Sequence, residues 1–301
     1  ADWAIGLGLG LASIPFLTPL LHYLPGPLET ALLLLAANAL TIALLLLSTR
    51  ARHQQAPPNP DPVDTERLPL LLGLLIVVLV VASFRLVNLG YSEFQGDEGV
   101  IMGRAARILV GDDAQLFYHH KGPAEILVPA ATWALSKTIN EWQARLPFAF
   151  ASILGIGGFY LLGQRLHNRR TALIAALLLA INGYFVGFGR IVQYQNLVLS
   201  GSILGMLSLW RWLRKEGDRW LYAGVSLLAF AMLAHYDAIW VLPAAAYVIG
   251  RRLWTQRRNW RTNLFHVSIA GLGAILALMA FYLPFYLNPS FANTMNYLTK
   301  A

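Results

Sequence analysis

The 301-residue chain contains no cysteine, which excludes disulfide bonds and thiolate metal sites. Charge is scarce: 13% of the residues are Asp, Glu, Lys or Arg, against about 25% in a soluble domain. Acid is scarcer than base, with 15 Asp and Glu against 23 Lys and Arg, a formal net charge of +8. No internal repeat and few charges within the apolar runs speak against a transporter built on repeat symmetry. No cleavable signal pattern opens the chain, whose first residue, Ala1, reads as a processed or trimmed end. Apolar residues fill the space left by these absences, at 57% of the total. That composition defines an integral membrane protein.

Crossing a bilayer takes roughly 20 apolar residues. Candidate spans are 4–24, 28–47, 68–89, 146–163, 171–188, 197–213, 221–235, 238–250 and 264–286, about nine in all. The expected fold is therefore an all-α, polytopic membrane helix bundle. Pro25-Gly-Pro27 turns the first two spans into an N-terminal transmembrane hairpin over residues 1–49. A proline-rich linker, 50–67, leads to a membrane domain over 68–301. Fifteen of the 23 basic residues fall in four alternate connectors, around Arg50, Arg165, Arg214 and Arg257. Basic connectors stay in the cytoplasm, so the linker is cytoplasmic and the basic excess reflects topology, not nucleic-acid binding. Nine of the 15 acidic residues, among them Glu93, Asp97, Glu98, Glu125 and Asp237, then lie outside.

Residues 90–144 form one long external first loop in this scheme. Val100–Val110 mixes Arg104 and Arg107 with apolar residues, as an interfacial amphipathic helix does. Ala124–Ile139 is apolar enough to be a span, but counting it would put the basic stretch at Arg165 outside; it is read as a helix lying in, or dipping into, the outer interface. Arg85, near the outer end of its span, is expected to snorkel or to pair with Glu93.

Four polar constellations emerge on that outer side. Asp97-Glu98 can supply a general base or hold a hard divalent cation; a solvated turn between Gly96 and Gly99 is the alternative. Tyr118-His-His-Lys-Gly-Pro123 offers Lys121 as a point charge for phosphate, and His119 and His120 as hydrogen-bonding or metal-binding imidazoles; an interfacial cluster with Pro123 opening a helix explains it equally well. Arg190 can clamp a phosphate in bidentate fashion, while Gln195 or Asn196 can bind a sugar hydroxyl or complete a metal shell. An interfacial Arg/Tyr belt is the plainer reading there. His235-Tyr-Asp237 places ionisable groups at an apolar hairpin, where function is the default expectation and helix capping the alternative.

The order Asp97-Glu98, Lys121-Gly-Pro123, Arg145-Leu-Pro147, Gln164 to Arg170 and Arg190 to Asn196 resembles the GT-C-fold, lipid-dependent glycosyltransferases of the protein O-mannosyltransferase and lipid A aminoarabinose transferase type. The resemblance runs from about Leu68 to Gly250. It implies a sugar donor carried on a polyprenyl phosphate, with Asp97 activating an acceptor nucleophile, Glu98 as its partner, and Lys121 and Arg190 at the lipid phosphate. His119, His120, Gln195, Asn196, His235 and Asp237 are then candidates for binding substrate. Gln195 stands where the family often has a second aspartate, which weighs against a metal, although a divalent cation is the one cofactor the site type allows. Relatives continue into further spans, so the chain is expected to be a fragment or a short member. The expected setting is a bacterial cell membrane with an extracytoplasmic site. The rival expectation is a non-catalytic subunit of a membrane complex that keeps the same fold.

Overall fold

A computed structural model describes residues 2–22, 67–94, 96–119 and 121–300. The second span of the N-terminal hairpin, the turn at Pro25 and the linker 50–66 lie outside the described residues, as does His120.

Every regular element among the described residues is helical. In chain order they are α1 (Asp2–His22), α2 (Arg67–Leu86), α3 (Asp97–Leu109), α4 (Ala124–Ser136), α5 (Glu141–Leu166), α6 (Arg169–Ile181), α7 (Gly183–Phe188), α8 (Gln195–Leu213), α9 (Arg219–Ala234), α10 (Leu242–Thr255), α11 (Trp260–Leu287) and α12 (Phe291–Lys300), with short 3₁₀ turns between some of them. Among the described residues two helical stretches are long and apolar enough to cross a membrane unaided: Glu141–Leu166 and Arg257–Leu287. The remaining expected spans are shorter. α6 has 13 residues, α9 has 16 and α10 has 14, or about 20–24 Å of helix at 1.5 Å per residue against a hydrocarbon core of about 30 Å.

The run 171–188, expected to be one span, is cut in two. Asn182 adopts an extended conformation (ψ 119°), and its side-chain oxygen accepts the N–H groups of Tyr184 and Phe185, ending α6 and starting α7. Asparagine is a strong N-cap because it satisfies backbone donors that a new helix cannot pair internally. Asn140 and Asn168 cap α5 and α6 in the same way, each at 2.9 Å.

The centre of the bundle is the α8/α9 pair. Gly201 and Gly205 on α8 meet Gly224 and its neighbours on α9 so closely that a Cβ at Gly201 would lie 2.9 Å from the Leu227 carbonyl oxygen. Small residues one turn apart let two helix backbones approach in this way. α5 packs against α8 on one flank, and α2 and α6 pack against α5 beyond it. α11 is different: only 11% of its apolar window is buried, and Phe265, Leu272, Leu276 and Leu283 are exposed. Such a helix needs an apolar surrounding that the bundle itself does not provide.

Two further expectations change. Of the two placements expected for α4, lying in the outer interface or dipping into it, the first does not hold. Residues 124–131 are all buried, packed against α1, α3, α5 and α9, so α4 is a short core helix. Arg85 neither snorkels nor pairs with Glu93: it is fully buried, with Nε donating to Ser152 Oγ (2.7 Å) and Nη1 to the Ala180 carbonyl (3.0 Å). Those partners sit 67 and 95 residues away in the chain, and the C-terminal carbonyls of α6 attract a cation more than water does across an apolar wall. α3 has the amphipathic pattern expected of it. Glu98, Ile101, Met102, Ala105 and Ile108 face inward at helical spacing while Val100 and Arg107 are exposed.

Candidate active site

The polar constellations converge at one end of the bundle, where α2 ends, α3, α4, α5 and α8 begin, and α9 gives way to a 3₁₀ turn. Basic residues occupy the other end. There Arg211 pairs with Glu216 (2.6 Å) and with Asp2, while its guanidinium lies 3.5 Å from the Trp220 ring centroid.

Gly96 turns the chain into α3 with φ +57°, a conformation that costs glycine little and other residues more. Asp97 and Glu98 then occupy the first turn of the helix, and that turn separates their fates. Asp97 is exposed and has no side-chain hydrogen bond or ion pair among the described residues. Glu98 is buried. Both its oxygens are engaged by Arg145, Nε to Oε1 and Nη2 to Oε2 at 2.8 Å each, and Oε1 also accepts the Val192 N–H at 2.9 Å. Arg145, with no exposed surface, donates further to the carbonyls of Leu89, Ser92 and Glu93. Both oxygens of Glu98 are therefore engaged in fixing the 89–93 segment, α5 and the 190–194 turn. Its burial and its ion pair give it a structural task in the site.

A second buried carboxylate, Glu125, does parallel work one residue pair further along the same turn. Its Oε1 accepts the Tyr194 N–H at 2.9 Å and its Oε2 meets His119 Nε2 at 2.9 Å. His119 Nδ1 in turn lies 3.2 Å from Arg104 Nη1. A guanidinium has no acceptor, so His119 Nδ1 must accept, and Nε2 carries the proton that it donates to Glu125. Both imidazole nitrogens are thus occupied and only 6% of His119 is exposed, which removes it from the candidates for binding substrate.

Lys121 is half-buried, with Nζ 5.0 Å from the centroid of the Tyr194 ring and no hydrogen bond or ion pair among the described residues. The other face of the site is built by His235, whose ring stacks on Tyr194 at 3.7 Å and 9°. Gly122 makes this proximity possible: a Cβ there would come within 2.1 Å of the Leu233 carbonyl oxygen and 2.8 Å of the Ala234 carbonyl carbon. Backbone cannot yield as a flexible side chain can. Gly122→Ala is therefore expected to push Lys121 away from the end of α9 and to lower activity at unchanged expression, or to destabilise the protein by about 1–3 kcal/mol; melting temperature and activity measured side by side will show which.

His235 is 3% exposed. Burial pushes its pKa below the usual histidine value, although the nearby Asp237 carboxylate pulls the other way. Hydrogen bonding agrees with a neutral ring, because Nδ1 accepts the Asp237 N–H at 3.1 Å. The 3.2 Å approach of Asp237 Oδ2 to that same nitrogen is then a contact enforced by the turn, not an ion pair. The Tyr194 phenol, half-buried, is pushed up to about 12 by desolvation and the nearby Asp237 and Glu125 carboxylates, and stays neutral.

Arg190, Gln195 and Asn196 complete the expected set. Arg190 points three hydrogen bonds at backbone carbonyls, Phe84 and Val87 at 2.9 Å and Asn88 at 3.1 Å. It closes the C-terminus of α2, where a cation is favoured; these bonds use Nη1 and one proton of Nη2, and the Nε–H edge of the fork has no hydrogen-bond partner among the described residues. Gln195 and Asn196 open α8. Asn196 is fully buried with neither amide atom hydrogen-bonded, and Gln195 Oε1 is likewise buried without a partner. No group of three or more His, Asp or Glu side chains converges to hold a metal ion among the described residues. Arg104, Glu125 and Arg145 were not foreseen as site builders. A lone acid or arginine in a helix otherwise rich in apolar residues was the available signal.

The chain from Lys121 to the last turn of α11 matches a family profile. Residues 121–285 correspond to the dolichyl-phosphate-mannose-protein mannosyltransferases, which places the chain in the GT-C class of membrane glycosyltransferases. The match covers more than half of the chain, and the chain belongs to that family. Lys121, Glu125, Arg145, Arg190, Tyr194 and His235 lie within the matched stretch, whereas Asp97 and Glu98 precede it. No curated protein and no solved structure matches the chain.

Proposed function

We propose that the protein transfers a sugar from a polyprenyl-phosphate donor to an acceptor hydroxyl or amine at the outer face of a bacterial cell membrane, through a bundle of about nine spans. The observation that carries this reading is the unequal treatment of two adjacent acids. Glu98 is locked by Arg145 and Val192, while Asp97 beside it is exposed and unpartnered among the described residues. A general base must reach a substrate proton and must not already be hydrogen-bonded away from it.

In this scheme the acceptor oxygen or nitrogen attacks the anomeric carbon as its proton passes to Asp97. The bond between that carbon and the phosphate oxygen breaks, and the lipid phosphate leaves with the electron pair. Lys121 stabilises the charge that develops on it. Electrostatic stabilisation of a leaving anion is commonly the largest single contribution to such a step. Attack from the face opposite the leaving group inverts the anomeric centre. Arg190, held to the end of α2 through Nη1 and Nη2, offers its Nε–H edge to the same phosphate.

The test is transfer from a polyprenyl-phosphate sugar in membranes containing the full chain. Lys121→Gln is expected to raise the donor KM about tenfold or more, the loss of one charge-assisted hydrogen bond. A non-catalytic subunit predicts instead that the wild-type chain turns over nothing and that the substitution has no effect.

A further inference from the structure

Glu125 is a fully buried carboxylate that the proposed chemistry does not use. It stands four residues after Lys121, at the second position of α4, and reaches the backbone of Tyr194 across 69 residues of sequence. Tyr194 is the plate of the site: Lys121 lies over its ring and His235 stacks on it. Through Pro123 and Gly122, Glu125 fixes where Lys121 leaves α4; through Oε1 it fixes where the Tyr194 plate sits. Both ends of the Lys121–Tyr194 contact are thus set by one side chain.

The other oxygen is held in turn. Arg104, which cannot accept, forces His119 Nδ1 to accept, so His119 Nε2–H donates to Glu125 Oε2. The direction of every hydrogen bond in the series Arg104, His119, Glu125, Tyr194 N–H is determined by the guanidinium at its start. An acceptor for the Tyr194 N–H is a structural need that a neutral side chain could meet; the charge on Glu125 and the imidazole and guanidinium behind it go beyond that need.

We propose that Glu125 is a positioning residue for donor recognition, oriented by Arg104 through His119 and acting on the lipid phosphate through the Lys121–Tyr194 contact. The inference rests on the reading of Lys121 as the phosphate ligand. It also assigns His119 to this series instead of to substrate.

Glu125→Gln tests the direction of the series. The amide oxygen can still accept the Tyr194 N–H, but the amide NH₂ then confronts His119 Nε2–H, and turning the imidazole proton to Nδ1 confronts Arg104. No arrangement satisfies all three groups. The measurement is binding of a sugar-free polyprenyl phosphate to the detergent-solubilised full chain, with melting temperature recorded alongside, for wild type, Lys121→Gln, Glu125→Gln and the double variant. The expected result is about tenfold weaker binding for each single variant, with the double variant no weaker than Lys121→Gln alone because both act through one contact. An unchanged affinity for Glu125→Gln, or losses that simply add in the double variant, overturns the inference while leaving Lys121 in place. Unchanged binding by Lys121→Gln overturns the phosphate assignment itself, which is a separate outcome. Should Glu125→Gln fail to fold, His119 carries the same test. His119→Gln places an amide nitrogen where Nε2 was and is expected to bind like wild type; His119→Asn does not reach and is expected to show the tenfold loss, and equal affinities of the two overturn the inference.

Discussion

Asp97→Asn is expected to lower sugar transfer by about 10²–10⁴-fold, the contribution of a positioned general base, while the protein folds and binds donor as before. The separation of these effects follows from where Asp97 sits. It is exposed on the first turn of α3, with no side-chain partner among the described residues, so an isosteric amide disturbs no packing. The only structural loss is the interaction of a negative charge with a helix N-terminus, about 0.3–1 kcal/mol. A rate assay in membranes, paired with a melting curve, distinguishes the two consequences. Transfer at the wild-type rate would remove Asp97 from the mechanism, and a collapse in stability would make it structural.

The neighbouring acid should behave in the opposite way. Glu98→Ala leaves the Arg145 guanidinium buried with no counter-charge and strips the Val192 N–H of its acceptor. Removing one partner of a buried ion pair costs about 3–5 kcal/mol, a large part of the roughly 5–15 kcal/mol that holds an ordinary domain together. We therefore expect little folded protein to be recovered after solubilisation. Arg145→Met should be as damaging, since Glu98 is then the stranded charge and the carbonyls of Leu89, Ser92 and Glu93 lose their donor. The double variant Glu98→Leu, Arg145→Met should recover part of the loss, because two stranded charges are replaced by none. If the double variant were as unstable as the sum of the singles, the pair would not be coupled as the geometry requires. Loss of activity at Glu98 with stability intact would instead return it to the chemistry.

The helical class and most helix positions follow from apolar runs and their breaks, which depend on neighbours a few residues away. α8, α9 and α11 begin and end within a few residues of the expected spans for that reason. Asn182 shows the limit of such reading: hydropathy averaged over a window cannot see one side chain capping a new helix. Gathering of the site at one end of the bundle was legible from the alternation of basic connectors. The partners inside the site were not, because Glu98 finds Arg145 across 47 residues and Val192 across 94. His119 and Glu125 are only six apart, yet nothing local distinguishes an imidazole that binds substrate from one whose two nitrogens are already held. Arg190 illustrates the same ambiguity, since a fork suited to phosphate is equally suited to helix-end carbonyls. The composition of the site was visible in the sequence; which of its members were already occupied was not.

The turn between α7 and α8 is held at alternate residues by acids from different helices, Glu98 at Val192 and Glu125 at Tyr194. A seam stitched at two such points joins α3, α4, α5 and the start of α8 into one rigid body. Parting any of these elements would expose a buried carboxylate. Under the proposed function a donor with a long hydrocarbon tail must nevertheless enter sideways from the bilayer. The yielding wall has to be another one, and α11 fits it: its inner face touches the site side of the bundle through Phe281, Phe285 and the Tyr282–Met232 hydrogen bond (2.6 Å), while its outer face rests on no other part of the described chain. The stitched turn thereby confines any opening of the bundle to the helices outside that seam.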